Sequence, residues 1–94
     1  MPVYAIAQGT VVNRAMLDDY VAKAIPTLEK HKVKILAASE DPEVVEGTLV
    51  HKRYVLLEFA SREAFRRWYD SPEYQAILRL RLESVTGTFV VIGG

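Results

Sequence analysis

The sequence predicts an α+β fold of the ferredoxin-like class, with elements in the order β-α-β-β-α-β. Four segments are rich in β-branched and aromatic residues, which is typical of strands. Two further segments repeat apolar residues at three- and four-residue spacing, as amphipathic helices do. Both halves of the chain have the same order of elements. This is the split βαβ pattern, an antiparallel four-stranded sheet with two helices on one face.

The first half of the chain supplies a strand, a helix and a second strand. Residues 3–11 are β-branched, aromatic and small, with a partial period of two. Asn13 is suited to cap the amphipathic helix predicted over residues 14–30. Pro26 lies inside that helix and lacks a backbone N–H, so a kink or a restart is expected there. Residues 33–39 form the second predicted strand.

The second half repeats this order after the turn-rich segment SEDPEVVEG. Residues 49–59, LVHKRYVLLEF, are the longest strand candidate. Ser61 is expected to cap a helix over residues 62–69, and residues 86–92 are predicted as the last strand. Trp68 stands in the apolar stripe of that helix and is expected in the core.

A new helix is predicted to start at Pro72, immediately after the preceding helix stops. The residue before a proline is driven out of the helical region, so Ser71 ends one helix and caps the next. At about 100° per residue, the new helix places Tyr74, Ile77, Leu80 and Arg81 on one side. The stretch WYDSPEYQAILRLR therefore has a structural explanation that requires no chemistry.

The composition limits the class of protein. The chain has 94 residues, so residues 1–94 are expected to form a single domain. Twelve basic residues balance twelve acidic ones, which disfavours a nucleic-acid partner. Without cysteine there are no disulfides or thiolate metal sites. The sequence shows neither a signal peptide nor an apolar run long enough for a membrane span, so a cytoplasmic location is expected.

Both faces of the predicted sheet are apolar, which predicts a homodimer. Two helices cover only one face, and the other face of a monomeric sheet is usually polar. The helix side is assigned to Val3, Ala5, Ala7, Val55, Leu57 and Phe59, and the opposite side to Tyr4, Ile6, Gln8, Tyr54, Leu56 and Glu58. A second copy is the simplest cover for the apolar residues of that opposite side.

The motifs VVEG, RYVLLEF, SREAFRRWYDSPEYQAILRLR and a terminal GTFVVIGG resemble one family, domain of unknown function 1330. The resemblance covers nearly the whole chain. It implies a dimeric α+β barrel, in which two ferredoxin-like sheets pack face to face. Relatives in the wider group include cofactor-free oxygenases, lactone isomerases and haem proteins. Family members often have a Gly-Gly pair where this chain has KHKVK, so the chain departs from the family pattern at that turn.

Two charged residues stand out among apolar ones. Arg81 lies in the apolar stripe of its helix, where it requires a partner or a route to solvent. It is either a structural tie to a carboxylate or carbonyl, or a clamp for the carboxylate or enolate of a substrate. Glu58 lies within a strand, where burial would suit it to proton abstraction, unless it pairs with Arg81 or Arg53. Since Glu58 is assigned to the face away from the helices, its pairing with Arg81 would contradict one of the two placements.

Two functions remain open at this point. The first is an enzyme without cofactor or metal, of the isomerase or monooxygenase type, that removes a proton from a small organic molecule. Its catalytic residue would be Glu58, and its substrate-binding residues Tyr4, Gln8, Tyr54, Tyr74 and Arg81. The second is a non-catalytic module that binds a small molecule or a protein. His31 and His51 lack the spacing of metal ligands, so no metal site is predicted.

Overall fold

A computed structural model describes all 94 residues. The strands are β1 (Val3–Val11), β2 (Lys34–Ser39), β3 (Arg53–Phe59) and β4 (Val85–Gly93). The helices are α1 (Arg14–Lys30), α2 (Arg62–Tyr69), α3 (Pro72–Gln75) and α4 (Leu78–Ser84). None of these helices has the length and hydrophobicity that crossing a membrane requires.

The four strands form one antiparallel sheet in the order β2-β3-β1-β4. The predicted ferredoxin-like α+β fold is therefore confirmed. In the register between β1 and β3, Ala5 is opposite Leu57 and Ile6 is opposite Leu56. Since side chains alternate along a strand, the two pairs belong to opposite faces of the sheet.

The helices cover one face of the sheet, called here the inner face. Val3, Ala5, Leu57 and Phe59 are buried there in one core cluster with residues of α1, α2 and α3, so the predicted helix side is confirmed. The other face, called here the outer face, has no helix over it. Its residues include Tyr4, Ile6, Gln8, Tyr54, Leu56, Glu58, Val90 and Ile92.

The three predicted N-caps are confirmed. Asn13 Oδ1 accepts a hydrogen bond from the backbone N–H of the third residue after it, at 3.1 Å. Ser61 Oγ does the same at the start of α2, at 3.1 Å. At the start of α3, Ser71 Oγ accepts from Tyr74 N at 3.3 Å and also donates to the carbonyl of Trp68 at 2.7 Å. The last serine thus joins the end of one helix to the start of the next.

The third strand is shorter than predicted. It begins at Arg53 rather than Leu49, because the pairing with β1 ends at Arg53 and the pairing with β2 ends at Tyr54. Residues 49–52 have the composition of a strand but no neighbouring strand to bond with. They extend the β2–β3 connection, which carries exposed Val45 and Val50.

The helical segments also differ from the prediction at two places. The helix α1 is continuous through Pro26, so the chain does not restart there. The single helix expected after Pro72 is two, because Ile77 N and Leu80 N bond to carbonyls three residues back, to Tyr74 and Ile77, instead of four.

Candidate functional site

A cavity lies between α1 and the inner face of the sheet, with a volume of about 210 Å³. This volume is below the usual range for drug-sized ligands, so the cavity suits a smaller molecule. Twelve of its 14 lining residues are hydrophobic, and the remaining two are Arg53 and Arg81. The cavity shares Val21, Ala38, Arg53 and Val55 with an open cleft beside the ends of β2 and β3, which gives it a route to solvent.

The two arginines reach the cavity from different elements. Arg53 opens β3 on the inner face, and Arg81 lies in α4. Both are half-buried, and neither belongs to any ion pair of the protein. Burial lowers the pKa of the Arg53 guanidinium below its ordinary value. The nearby carboxylate of Glu40 acts on Arg53 but is itself ion-paired with Arg14. Two cationic groups outside any ion pair, beside an apolar cavity, are favourably placed for an anionic ligand.

Arg81 is held by aromatic residues rather than by a carboxylate. Its Nε donates a hydrogen bond to Tyr74 Oη at 3.2 Å, and its Cζ lies 5.0 Å from the centroid of the Phe89 ring. The second contact is a cation–π interaction. Tyr74 Oη is in turn 2.8 Å from Tyr20 Oη, in a buried hydroxyl pair. The prediction that Tyr74 and Arg81 lie on one side is confirmed, even though the helix between them is broken.

Tyr20 completes this polar end of the cavity. It comes from α1 and is 8% exposed. Burial raises the pKa of Tyr20 well above its ordinary value, and the adjacent Tyr74 adds to the rise, so the hydroxyl keeps its proton at any physiological pH. Hydrogen bonds therefore link the Arg81 cation through Tyr74 to the neutral hydroxyl of Tyr20, a residue that lines the cavity.

Trp68 forms part of the cavity wall. It is 1% exposed, and its indole N–H donates to Thr27 Oγ1 at 3.0 Å. Thr27 Oγ1 itself donates to the carbonyl of Ala24 at 2.7 Å. The Trp68 ring also lies 4.0 Å from that of Tyr74, centroid to centroid. The wall is thus fixed by hydrogen bonds as well as by packing, which holds the cavity open in one shape.

The structure divides the predicted site residues between the two faces of the sheet. Tyr74 and Arg81 are on the inner side, and Tyr4 and Tyr54 are on the outer face with Glu58. Within this single chain, Tyr4, Tyr54 and Glu58 therefore do not share a pocket with Arg81, and their role in a site between subunits stays a prediction. The sheet separates them, because neighbouring residues of a strand point to opposite faces.

Glu58 pairs with neither of the arginines that the sequence suggested. Its carboxylate lies 3.5 Å from Lys34 Nζ, in the cross-strand neighbour of β2, and a quarter of the side chain is exposed. Arg53 and Arg81 belong to the inner side, out of reach through the sheet. The predicted pairing is corrected to Lys34, while the assignment of Glu58 to the face away from the helices agrees with the structure.

Gln8 has an intermediate position. It is opposite Tyr54 on one side and Thr88 on the other. It also borders a crevice of about 40 Å³ together with Arg53 and Arg81. The crevice lies at the end of the sheet where Gly9 of β1 is opposite Gly87 of β4. Of the β1 residues predicted for the site, Gln8 is the one that approaches Arg81.

Sequence reasoning missed Tyr20 as a site residue and considered Arg53 only as a partner of Glu58. A tyrosine at an apolar position of an amphipathic helix has the pattern of an ordinary core residue. Arg53 starts β3 at an inward position, and the alternation of side chains along the strand could have identified it as a residue of the inner face. Its phase places Arg53 on the same face as Val55 and Leu57.

The fold and the cavity define a class: a ferredoxin-like α+β protein with a small, mostly apolar cavity between its helices and its sheet. Residues 2–94 match the model of the family described as "Domain of unknown function (DUF1330)". The chain belongs to this family. No curated protein matches it.

Solved structures share the fold at low sequence identity. RPA0582 of Rhodopseudomonas palustris, a protein of unknown function, is 14% identical with a TM-score of 0.78, over 97% of this chain and 78% of that one. SnoaB of Streptomyces nogalater, described as a cofactor-independent oxygenase, is 15% identical with a TM-score of 0.68, over 99% and 92%. A Bacteroides fragilis protein described as dimeric is 13% identical with a TM-score of 0.65, over 97% and 94%.

Proposed function

We propose that the protein binds a small, largely apolar organic molecule in the cavity, with an acidic oxygen of that molecule beside Arg53 and Arg81. The observation that carries this proposal is the pair of half-buried guanidinium groups that form no ion pair within the chain. A buried charge without a counter-charge is costly, and a ligand anion would offset that cost. The hydrophobic walls would hold the rest of the ligand.

The same arrangement would stabilise an enolate or phenolate. Positive charge and hydroxyl donors placed where negative charge develops lower the energy of such an ion. This supports an enzyme of the isomerase or cofactor-free monooxygenase type, and the description of SnoaB supports the second. The cavity lining contains no carboxylate and no imidazole. The reaction in this cavity would therefore rely on an acidic substrate rather than on a side-chain base.

Ligand binding is tested with lawsone, a hydroxynaphthoquinone that is an anion at neutral pH, and menadione, which has a methyl group in place of the hydroxyl. Trp68 is the only tryptophan and lines the cavity, so quenching of its fluorescence reports occupancy. We expect lawsone to bind more tightly than menadione. Arg53→Met and Arg81→Met should each weaken lawsone binding by roughly ten- to a hundred-fold, as expected for lost charged hydrogen bonds.

Arg79→Met is the matched control, because Arg79 lies two residues from Arg81 in α4 but is exposed and paired with Glu83 at 2.9 Å. It should leave the affinity for lawsone unchanged. Equal affinities for lawsone and menadione in the wild type, or equal losses in Arg79→Met and Arg81→Met, would contradict an anion site at the two arginines.

A non-catalytic binding module is the second candidate function, and the lack of an acid–base side chain in the cavity favours it. The role of Glu58 as a catalytic base stays a prediction, which would require a second site on the outer face. Screening quinones, lactones and small acids for turnover separates these functions. Turnover abolished by Glu58→Gln in a folded variant supports the outer site. Turnover that survives Glu58→Gln but not Arg81→Met supports the cavity.

We also propose that two copies of the chain pack through their outer faces. On the outer face, Val90 is 42% exposed and Ile92 is 51% exposed, alongside half-buried Ile6 and Leu56. A continuous apolar patch of this kind is unusual on a monomer. A similar fold is described as dimeric in Bacteroides fragilis, which supports a second copy as the cover.

Leu56→Asp tests this dimer. An unpaired carboxylate at the centre of the buried face costs several kcal/mol, so the variant should dissociate or unfold. Leu82→Asp is the control, because Leu82 is 61% exposed and belongs to α4, one of the helices on the inner side of the sheet. Light scattering across a dilution series gives the mass of each variant. A wild-type protein that is a stable monomer at micromolar concentration would refute the dimer.

A further inference from the structure

The hydroxyl pair Tyr20–Tyr74 has one more proton than the chain has acceptors for. Each tyrosine hydroxyl brings one proton, and one of the two is shared in the 2.8 Å bond between them. The only other hydrogen bond to the pair is donated by Arg81 Nε at 3.2 Å. In it Tyr74 Oη is the acceptor, so the bond uses neither hydroxyl proton. Both oxygens are hydrogen-bonded, but one of the two O–H protons has no acceptor inside the protein.

The direction of the hydrogen bonds from Arg81 through Tyr74 assigns this spare proton to Tyr20. Arg81 donates into the oxygen of Tyr74, which makes that hydroxyl a stronger donor and a weaker acceptor. This polarisation favours Tyr74 as the donor of the pair, with Tyr20 as the acceptor, which leaves the Tyr20 O–H to donate elsewhere. Tyr20 lines the cavity, whereas Tyr74 is fully buried behind it. Tyr20, which has the spare donor, and the two arginines thus line the same cavity.

We infer that Tyr20 is a ligand-binding residue, whose hydroxyl donates a hydrogen bond to a carbonyl or enolate oxygen of the molecule in the cavity. Tyr74 and Arg81 act as positioning residues, since they fix the direction in which Tyr20 donates. This inference rests on the proposed ligand site and adds a requirement to it. The ligand presents an oxygen acceptor to Tyr20, in addition to any negative charge that Arg53 and Arg81 bind.

Tyr20→Phe separates this role from that of the arginines. Lawsone and menadione both have carbonyl acceptors, so Tyr20→Phe should weaken both by roughly ten-fold, the loss expected for one hydrogen bond. Arg53→Met should weaken lawsone far more than menadione. Tyr69→Phe is the control, because Tyr69 is a half-buried neighbour of Tyr74 outside the lining of the cavity, and it should change neither affinity.

Infrared spectroscopy of the bound ligand gives a readout that a structural role of Tyr20 would not move. A carbonyl that accepts from Tyr20 should absorb at lower wavenumber than in an apolar solvent, and Tyr20→Phe should reverse this shift. Unchanged affinities and an unchanged carbonyl band in Tyr20→Phe would overturn the inference while leaving the ligand site intact. If Tyr20→Phe does not fold, an unshifted band in the wild type overturns it. Failure of the wild type to bind either quinone defeats the proposed function itself.

Discussion

Replacing Thr27 by valine tests how the wall of the cavity is held. Thr27 is 6% exposed, and its hydroxyl is the hydrogen-bond acceptor of the buried indole N–H of Trp68, at 3.0 Å. Valine has nearly the same shape but no acceptor, so the indole N–H would remain buried and unpaired. An unsatisfied buried donor costs about 1–3 kcal/mol. For a chain of this size that lowers the melting temperature by roughly 4–8 °C per kcal/mol.

The measurement is urea unfolding followed by Trp68 fluorescence at one fixed protein concentration, because an associating protein is more stable when concentrated. Thr27→Ser is the matched variant, since it keeps the hydroxyl and removes only a methyl group. We expect Thr27→Val to lower the free energy of unfolding by more than Thr27→Ser does. If the serine variant is the less stable of the two, packing of the methyl group outweighs the hydrogen bond, and the reasoning is refuted.

Three further outcomes follow from local contacts. Ser71→Ala removes an N-cap that is buried and should cost about 0.5–2 kcal/mol in urea unfolding; an unchanged midpoint would contradict the capping role. A hydrogen bond from His31 lowers the pKa of Glu73 to about 2 from 4.5. The stabilising effect of the ionised Glu73 is therefore complete above about pH 4.5 and is lost as the pH falls towards 2. Glu73→Gln should flatten this part of the acid-unfolding curve. Gly9→Ala would place a Cβ 2.7 Å from the carbonyl oxygen of Thr86, so the clash should cost about 1–3 kcal/mol and lower the melting temperature. A melting temperature equal to that of the wild type would show that β4 shifts enough to relieve the clash.

The elements of the fold were predictable because their signals are local. Period-two and period-3.6 patterns, together with caps such as Ser61 and Ser71, identify strands and helices without reference to the rest of the chain. The start of β3 was not predictable in this way. Residues 49–52 have strand composition, but whether they join the sheet depends on a partner strand being opposite them. That is a property of the assembled sheet.

The candidate site was predictable only in part, for a related reason. Arg81 and Tyr74 were found because both belong to one helical stripe, seven residues apart. Strand alternation already placed Glu58 on the face away from both arginines, but its actual partner, Lys34, depends on the register of β2 against β3, which local patterns do not show. Tyr20 looked like a core residue, and its role depends on a hydroxyl 54 residues away in sequence. Contacts between distant segments are therefore the part of the site that local patterns leave out.

The cavity exists because small residues line it, and filling it should exchange binding for stability. Ala24 of α1 is 4% exposed and lines the cavity. Empty apolar volume costs about 24 cal/mol per Å³, which for about 210 Å³ sets an upper limit near 5 kcal/mol, since the cavity is partly open. Ala24→Leu should recover part of this cost and raise the melting temperature, while lawsone quenching of Trp68 falls at least ten-fold. A variant that is more stable and still binds lawsone as the wild type does would show that the ligand occupies another place.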